Sequence, residues 1–294
     1  MLHILKAALL GASLFGLAGS VQAEEIAVGG KNFTEQQILA SITQQYLSAK
    51  GYDVTDRSGM GSAVVRQAME NGQVDIYWEY TGTSLITYNK VTEKLNAQDT
   101  YDKVKELDAK KGIVWLMPSK ANNTYALAMR ADEAQKMGIE TISDLAMKEI
   151  GGAKLTLASN AEFYARPDGL KPLEKDYGFD FGRANIKRMD TGLVYQALKD
   201  SQVDVGVVFA TDGRIPAFNF VTLKDDKGYF PSYALAPVIR KEVLDKHPEL
   251  ADLMDAISAK LTDKVMAGLN ANVDVDKVSV ENVAAEFLKE NGLI

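Results

Sequence analysis

Apolar runs and amphipathic stretches alternate along the chain from residue 25 onward. Glu25 to Gly29 (EIAVG) predicts a short strand ending on Gly29-Gly30. Thr34-Glu35-Gln36-Gln37 then opens a helix, with Thr34 as the expected N-cap and Gln37 at capping-box spacing. Ile38, Leu39, Ile42 and Leu47 follow at helical spacing, and Lys50-Gly51 closes the helix. The stretch YDVTDRS predicts a second strand. Gly59-Met60-Gly61-Ser62 turns into another helix, with Ser62 as its cap, Val64, Val65 and Ala68 on the buried side and Gly72 as terminator. VDIYWEY is a third strand, so the chain starts β-α-β-α-β, the order of a parallel sheet with helices on its faces.

The pattern then restarts. Lys154 to Ser159 (KLTLAS) predicts a strand, and LVYQALKDSQVDVGVVF a helix followed by a strand. The latter repeats the design of the earlier AVVRQAMENGQVDIYWEY: an apolar-faced helix, a Q-V-D turn, an apolar strand. Two α/β lobes of similar plan are the economical reading. Tyr125-Ala126-Leu127-Ala128 and Tyr233-Ala234-Leu235-Ala236 echo each other, each leading into an apolar strand, an Arg and an acidic helix start. Lobes related by a pseudo-twofold axis would make these equivalent crossover strands at a hinge; chance similarity of so short a string is the alternative. Lys241 to Ile294 is mostly amphipathic helix. Trp78 and Trp115 sit among apolar strand residues and are expected in the core.

The first residues read differently. Lys6 precedes an apolar run, Ala7 to Gly19, too short to span a bilayer comfortably, and Val21-Gln22-Ala23 suits signal peptidase. Met1 to Ala23 is therefore expected to be an export signal cleaved before Glu24, and without a Cys there no lipid can be attached. The expected compartment is the periplasm.

The 33 Lys and Arg against 40 Asp and Glu give a net charge of −7, and no basic run is present, which argues against nucleic acid or an anionic membrane surface as partner. With no Cys there is no disulfide, thiol nucleophile or thiolate metal site. Of the two His, His3 leaves with the signal, and His247 precedes Pro248, read as the first residue of a helix. A Ser-His-Asp triad would need His247, and a His-rich zinc site is out. Paired carboxylates remain possible.

Ligands of open α/β sheets bind at the carboxyl ends of strands. Those ends here carry Tyr80-Thr81-Gly82-Thr83, Asn122-Asn123-Thr124-Tyr125, Phe209-Ala210-Thr211-Asp212-Gly213, and, at the second crossing, Tyr229 and Tyr233. Several aromatic faces around one point suit a quaternary ammonium, which has no proton to donate and is held by π-faces at about 0.5–2 kcal/mol per ring. Lys31 and Arg166 could take a carboxylate at the ligand's other end.

The motifs GKNFTEQ (Gly30 to Gln36), VDIYWEYTGT (Val74 to Thr83), NNTYALAMR (Asn122 to Arg130), RPDGL (Arg166 to Leu170), TDGRI (Thr211 to Ile215) and YFPSYALAPVIR (Tyr229 to Arg240) occur in this order over nearly all of the mature chain. With them the sequence resembles the substrate-binding proteins of ABC importers for osmoprotectants such as glycine betaine, carnitine, choline and proline betaine. The resemblance implies an α/β, two-lobed periplasmic-binding-protein fold of type II, with two crossover strands as hinge. The expected lobes are residues 24–120 with 230–294, and 121–229. It implies an aromatic cage of Tyr80, Tyr125, Phe209 and Tyr233, a carboxylate held by Lys31, Thr83 and Arg166, and polar lining from Gln36 and Asn123. Phe209 departs from the Tyr of many relatives, keeping the π-face and losing the hydroxyl, and Ala234 stands where some carry another aromatic. The implied protein is a monomer without metal or cofactor, whose closed form docks on a membrane permease driven by a cytoplasmic ATPase. Lys31, Thr83 and Arg166 favour a zwitterion, hence glycine betaine, over choline.

Two other readings stand beside it. An amino-acid or other small-solute binder of the same fold would pair a primary ammonium with Asp212 or Glu79. A hydrolase would use two carboxylates among Glu35, Glu79, Glu162 and Asp212, although no motif fixes their spacing.

Overall fold

The computed structural model describes residues 25–294, and the expected export signal lies outside them. Ten strands run in chain order: β1 (Glu25–Lys31), β2 (Asp53–Met60), β3 (Ile76–Tyr80), β4 (Ile113–Trp115), β5 (Tyr125–Arg130), β6 (Leu157–Ser159), β7 (Ile186–Arg188), β8 (Val205–Phe209), β9 (Phe220–Thr222) and β10 (Leu235–Arg240). They form two five-stranded sheets, ordered β2-β1-β3-β10-β4 and β7-β6-β8-β5-β9. The two orders are one plan, with β6, β7, β8 and β9 standing for β1, β2, β3 and β4, and β5 standing for β10. In each sheet the first three strands are parallel and the return strand is antiparallel to both neighbours. The chain passes between the sheets after β4 and again after β9, the two crossings of a two-lobed α/β binding fold. An antiparallel bridge between Asn122 and Ala234 ties the crossings together.

Burial explains the strands. All five residues of β3 are buried, as expected of a central strand covered on both faces by helices. Trp78 and Trp115 are buried in the core, and each indole N–H has a partner: Thr43 Oγ1 at 2.9 Å and Asp108 Oδ2 at 2.8 Å. The strand expected over Lys154 to Ser159 is shorter, because Lys154 sits at φ 53°, a left-handed value that no strand accommodates.

The helix ends hold three corrections. The first helix, Thr34–Ala49, is capped by Phe33, not Thr34: Phe33 is extended (φ −138°, ψ 159°) and its carbonyl accepts from the N–H groups of Gln36 and Gln37. The Thr34 hydroxyl instead donates to Asp274 Oδ1 at 2.9 Å. Likewise Gly61, not Ser62, caps Ser62–Glu70, and the Ser62 hydroxyl reaches across to Glu162 at 2.9 Å. In both cases a carboxylate on another element outbids the local backbone, since charge-assisted bonds are the stronger. Pro248 is not helical either; it lies in a turn between His247, which ends the helix Lys241–Lys246, and the helix Leu250–Ser258.

After β10 the chain adds helices Asp263–Asp274 and Val280–Glu290. Val280–Glu290 packs on Thr34–Ala49, whereas Asp263–Asp274 touches both Thr34–Ala49 and the short helix Arg214–Ala217 that follows β8. Gly213 makes the latter approach possible: a Cβ there would lie 2.5 Å from the Ala267 carbonyl oxygen and from Ala271 Cβ. The tail thus straddles the seam between the lobes.

Candidate ligand cleft

The strand ends that carry the aromatic residues converge on a cleft of about 1070 Å³ between the two sheets. Register does part of this: β5 pairs Tyr125 with Phe209, and β10 pairs Leu235, two residues beyond Tyr233, with Tyr80. Eight of the nine expected residues line the cleft: Lys31, Tyr80, Thr83, Asn123, Tyr125, Arg166, Phe209 and Tyr233. Gln36 lies behind it, its amide donating to the Tyr80 hydroxyl at 3.1 Å. Tyr229 is not among the lining residues, and its hydroxyl donates to the Gly169 carbonyl at 3.1 Å.

The rings form one connected chain. Phe209 and Tyr125 have centroids 5.0 Å apart, and Tyr125 and Tyr233 are 5.8 Å apart edge to face. Tyr80 joins them through Phe33, which stacks on Phe209 at 5.1 Å and on Tyr80 at 6.3 Å. Phe33 was not singled out in the sequence, yet it joins Tyr80 to the other rings, and its contact with Phe209 links the two lobes, as does that of Tyr125 with Tyr233. Its signal was its place within GKNFTEQ, beside Lys31 at the end of β1.

Both cations expected at the ligand carboxylate already have protein carboxylates. Lys31, 2% exposed, donates to Glu79 at 2.5 Å and stands 4.7 Å from the centre of the Tyr80 ring. Glu79 is inaccessible and also accepts from the Tyr77 hydroxyl at 2.8 Å and the Tyr80 backbone N–H at 2.6 Å. Arg166, 6% exposed, donates Nε and Nη2 to Asp168, both at 2.8 Å, and Nη1 to Glu162 at 3.1 Å and to Thr83 Oγ1 at 3.4 Å. Its guanidinium lies 5.4 Å from the Tyr125 ring centre and 5.8 Å from that of Tyr233, whose hydroxyl donates to Asp168. Each cation is thus paired with carboxylates of the protein and offers a ligand fixed N–H donors rather than an uncompensated charge.

Beneath Tyr80 lies Glu35, in the first turn of Thr34–Ala49 and 2% exposed. One oxygen accepts from the Tyr80 hydroxyl at 2.7 Å and Asn123 Nδ2 at 2.8 Å, the other from Thr211 Oγ1 at 2.5 Å and Asn270 Nδ2 at 3.2 Å. Burial pushes its carboxyl above the usual range, and the four donors pull against that rise. Asn270, on the tail helix, had no signal in the sequence.

These contacts also bear on the two competing readings. Glu79 is taken by Lys31, and Asp212 is bonded to Arg214 at 2.6 Å, so neither presents a free carboxylate to a ligand ammonium. Glu35 is sealed by its four donors, and Glu162 accepts from both Ser62 and Arg166.

A family described as the substrate binding domain of ABC-type glycine betaine transport systems matches residues 24–290. The chain belongs to that family. It is 50% identical over 289 residues to the glycine-betaine-binding protein of Pseudomonas aeruginosa, covering 96% of this chain and 93% of that protein. It is 36% identical over 279 residues to the glycine betaine-binding protein YehZ of Escherichia coli, covering 92% of each. Among solved structures, a glycine betaine/carnitine/choline ABC transporter protein aligns with TM-score 0.74 at 30% identity, over 91% of this chain and 99% of that one. The family is one of binding proteins rather than enzymes, and the chain is a substrate-binding protein of an ABC importer for quaternary ammonium solutes.

Proposed function

We propose that this chain captures glycine betaine, or a near relative among zwitterionic quaternary ammonium solutes, in the interlobe cleft and hands it to a membrane permease from the periplasm. The observation that supports this reading is the run of rings Tyr80, Phe33, Phe209, Tyr125 and Tyr233, drawn from both lobes onto one cleft. A methylated nitrogen offers no proton, so it needs faces rather than a carboxylate. In this reading Tyr80, Tyr125, Phe209 and Tyr233 contact the head group. Thr83 and the remaining N–H donors of Lys31 and Arg166 take the carboxylate, Asn123 lines the pocket, and Gln36 orients Tyr80. The lobes are residues 24–120 with 230–294, and 121–229. Contacts from both lobes favour the closed form, so ligand shifts the population toward it, and the protein works as a monomer.

Titration calorimetry over glycine betaine, proline betaine, carnitine and choline tests the reading. Betaines are expected to bind more tightly than choline, and Arg166→Ala is expected to weaken betaine more than choline. Tyr80→Ala binding betaine at full affinity would refute the cage.

A further inference from the structure

Glu35 is a buried carboxylate that the binding scheme above does not use, and none of its four hydrogen-bond partners is a cation. The direction of three of those bonds is fixed by backbone groups. The Lys31 N–H donates to Gln36 Oε1 at 3.2 Å, so Gln36 turns its amide N–H toward the Tyr80 oxygen, and the Tyr80 proton must point at Glu35. The Asn270 amide also donates to the Thr211 carbonyl at 2.9 Å, and Asn123 Oδ1 accepts from the Thr211 N–H at 3.4 Å, so both amides present N–H to Glu35. Thr211 is 1% exposed and, among the described residues, its hydroxyl has no acceptor other than Glu35. Every partner therefore donates, which is the bonding of the ionised carboxylate. Tyr80 stays protonated beside it: burial and the Glu35 charge push its phenol well above the usual value.

We propose that Glu35 is the buried counter-charge of the aromatic cage: by accepting the hydrogen bond of the Tyr80 hydroxyl it makes that ring electron-rich and sets the site's preference for a charged over a neutral head group. A cation is attracted to the negative face of a ring, and that face strengthens as the phenol proton leans toward an anion. The other cage hydroxyl with a carboxylate partner is Tyr233, but Asp168 there is neutralised by Arg166. Glu35 is thus a positioning residue acting through Tyr80; it does not itself line the cleft and sits among residues of both lobes and the tail.

This inference rests on the betaine reading, and the experiment separates the two. Glycine betaine is compared by calorimetry with 3,3-dimethylbutanoate, in which carbon replaces the charged nitrogen and the shape is kept. Wild-type protein that binds the two alike, or neither, removes the betaine reading and this inference with it. Given a wild-type preference for betaine, Glu35→Gln is expected to shrink the ratio of the two affinities by about five- to tenfold. Equal weakening of both ligands would assign Glu35 a purely structural role and overturn the proposal. Should Glu35→Gln not fold, Tyr80→Phe, which keeps the ring and deletes the bond, must still shrink the ratio; an unchanged ratio there overturns it as well.

Discussion

The two lobes share one strand order, yet they equip the ends of equivalent strands differently. β3 ends on Tyr80, a buried ring whose hydroxyl is tied to Glu35 and whose face carries the Lys31 ammonium. The loop after it is a turn of π-helix, Thr83–Tyr88, braced from below. Its brace is Asp108, which is inaccessible and accepts from both Arg66 Nη atoms (2.9 and 2.7 Å), Ser84 Oγ (2.7 Å), Asn89 Nδ2 (2.9 Å) and Trp115 Nε1 (2.8 Å). β8 ends on Phe209, half-buried and without a hydroxyl, followed by Asp212 and Arg214, buried and bonded to each other at the seam. One lobe presents a ring fixed by charge; the other presents a ring held by stacking alone. A duplicated scaffold thus sets where the rings stand, while the groups behind them set what each ring can attract.

Stability should show the difference most strongly. Removing one partner of a buried ion pair costs about 3–5 kcal/mol, so both Arg66→Ala and Arg214→Ala should lower the urea midpoint, and Arg66→Ala the more, because it leaves the fully buried Asp108 unpaired. Equal losses would mean that the brace in the first lobe is not special.

Affinity comes next. A desolvated cation–ring contact is worth about 0.5–2 kcal/mol, so Phe209→Ala is expected to weaken betaine binding by roughly three- to thirtyfold. Tyr80→Ala is expected to lose more, because it also removes the ring beneath Lys31 and strips Glu35 of a donor. Calorimetry on the two variants ranks the rings; the reverse order would sink the distinction drawn above.

The two buried carboxylates should respond to pH with opposite sign. Burial raises Asp108, but Arg66, Asn89 and Ser84 outweigh it and hold its carboxyl below 3.8. The native state then binds that proton less readily than the unfolded chain, so the contribution is complete above pH 3.8 and fades as pH falls below it. Glu35 is raised above 4.5, so its ionisation costs stability above its folded value, and that cost is relieved as pH falls toward 4.5. Urea midpoints against pH for wild type, Asp108→Asn and Glu35→Gln check both slopes.

The smallest effect is expected for Thr34→Ala. Thr34 is not the cap of its helix, and its loss removes one part-buried bond to Asp274, worth about 0.5–1.5 kcal/mol. A fall in stability well beyond that range would restore the capping role.

Much of the site was legible because it lies at strand ends, and strand ends follow from hydrophobic periodicity. The repeated helix, Q-V-D turn and strand located Tyr80 and Phe209 before any tertiary contact was known, and the paired YALA strings located Tyr125 and Tyr233. What stayed hidden depends on contacts between distant segments. Phe33 joins the rings only because the end of β1 faces the end of β8. Glu35 gathers donors separated from it by 45, 88, 176 and 235 residues. The caps misread at Thr34 and Ser62 failed for the same reason, since their hydroxyls prefer Asp274 and Glu162 to the nearby backbone.

The sequence by itself determined the repeated α/β plan and which residue types stand at the mouths of its strands, because burial on two faces imposes a periodicity that can be read locally. Only the tertiary structure decided which charges are already spent on each other, as with Lys31 on Glu79 and Arg166 on Asp168, and which carboxylate is left facing donors alone. Electrostatic partnership depends on distance in space and on exclusion of water, and neither is written in the order of residues along the chain.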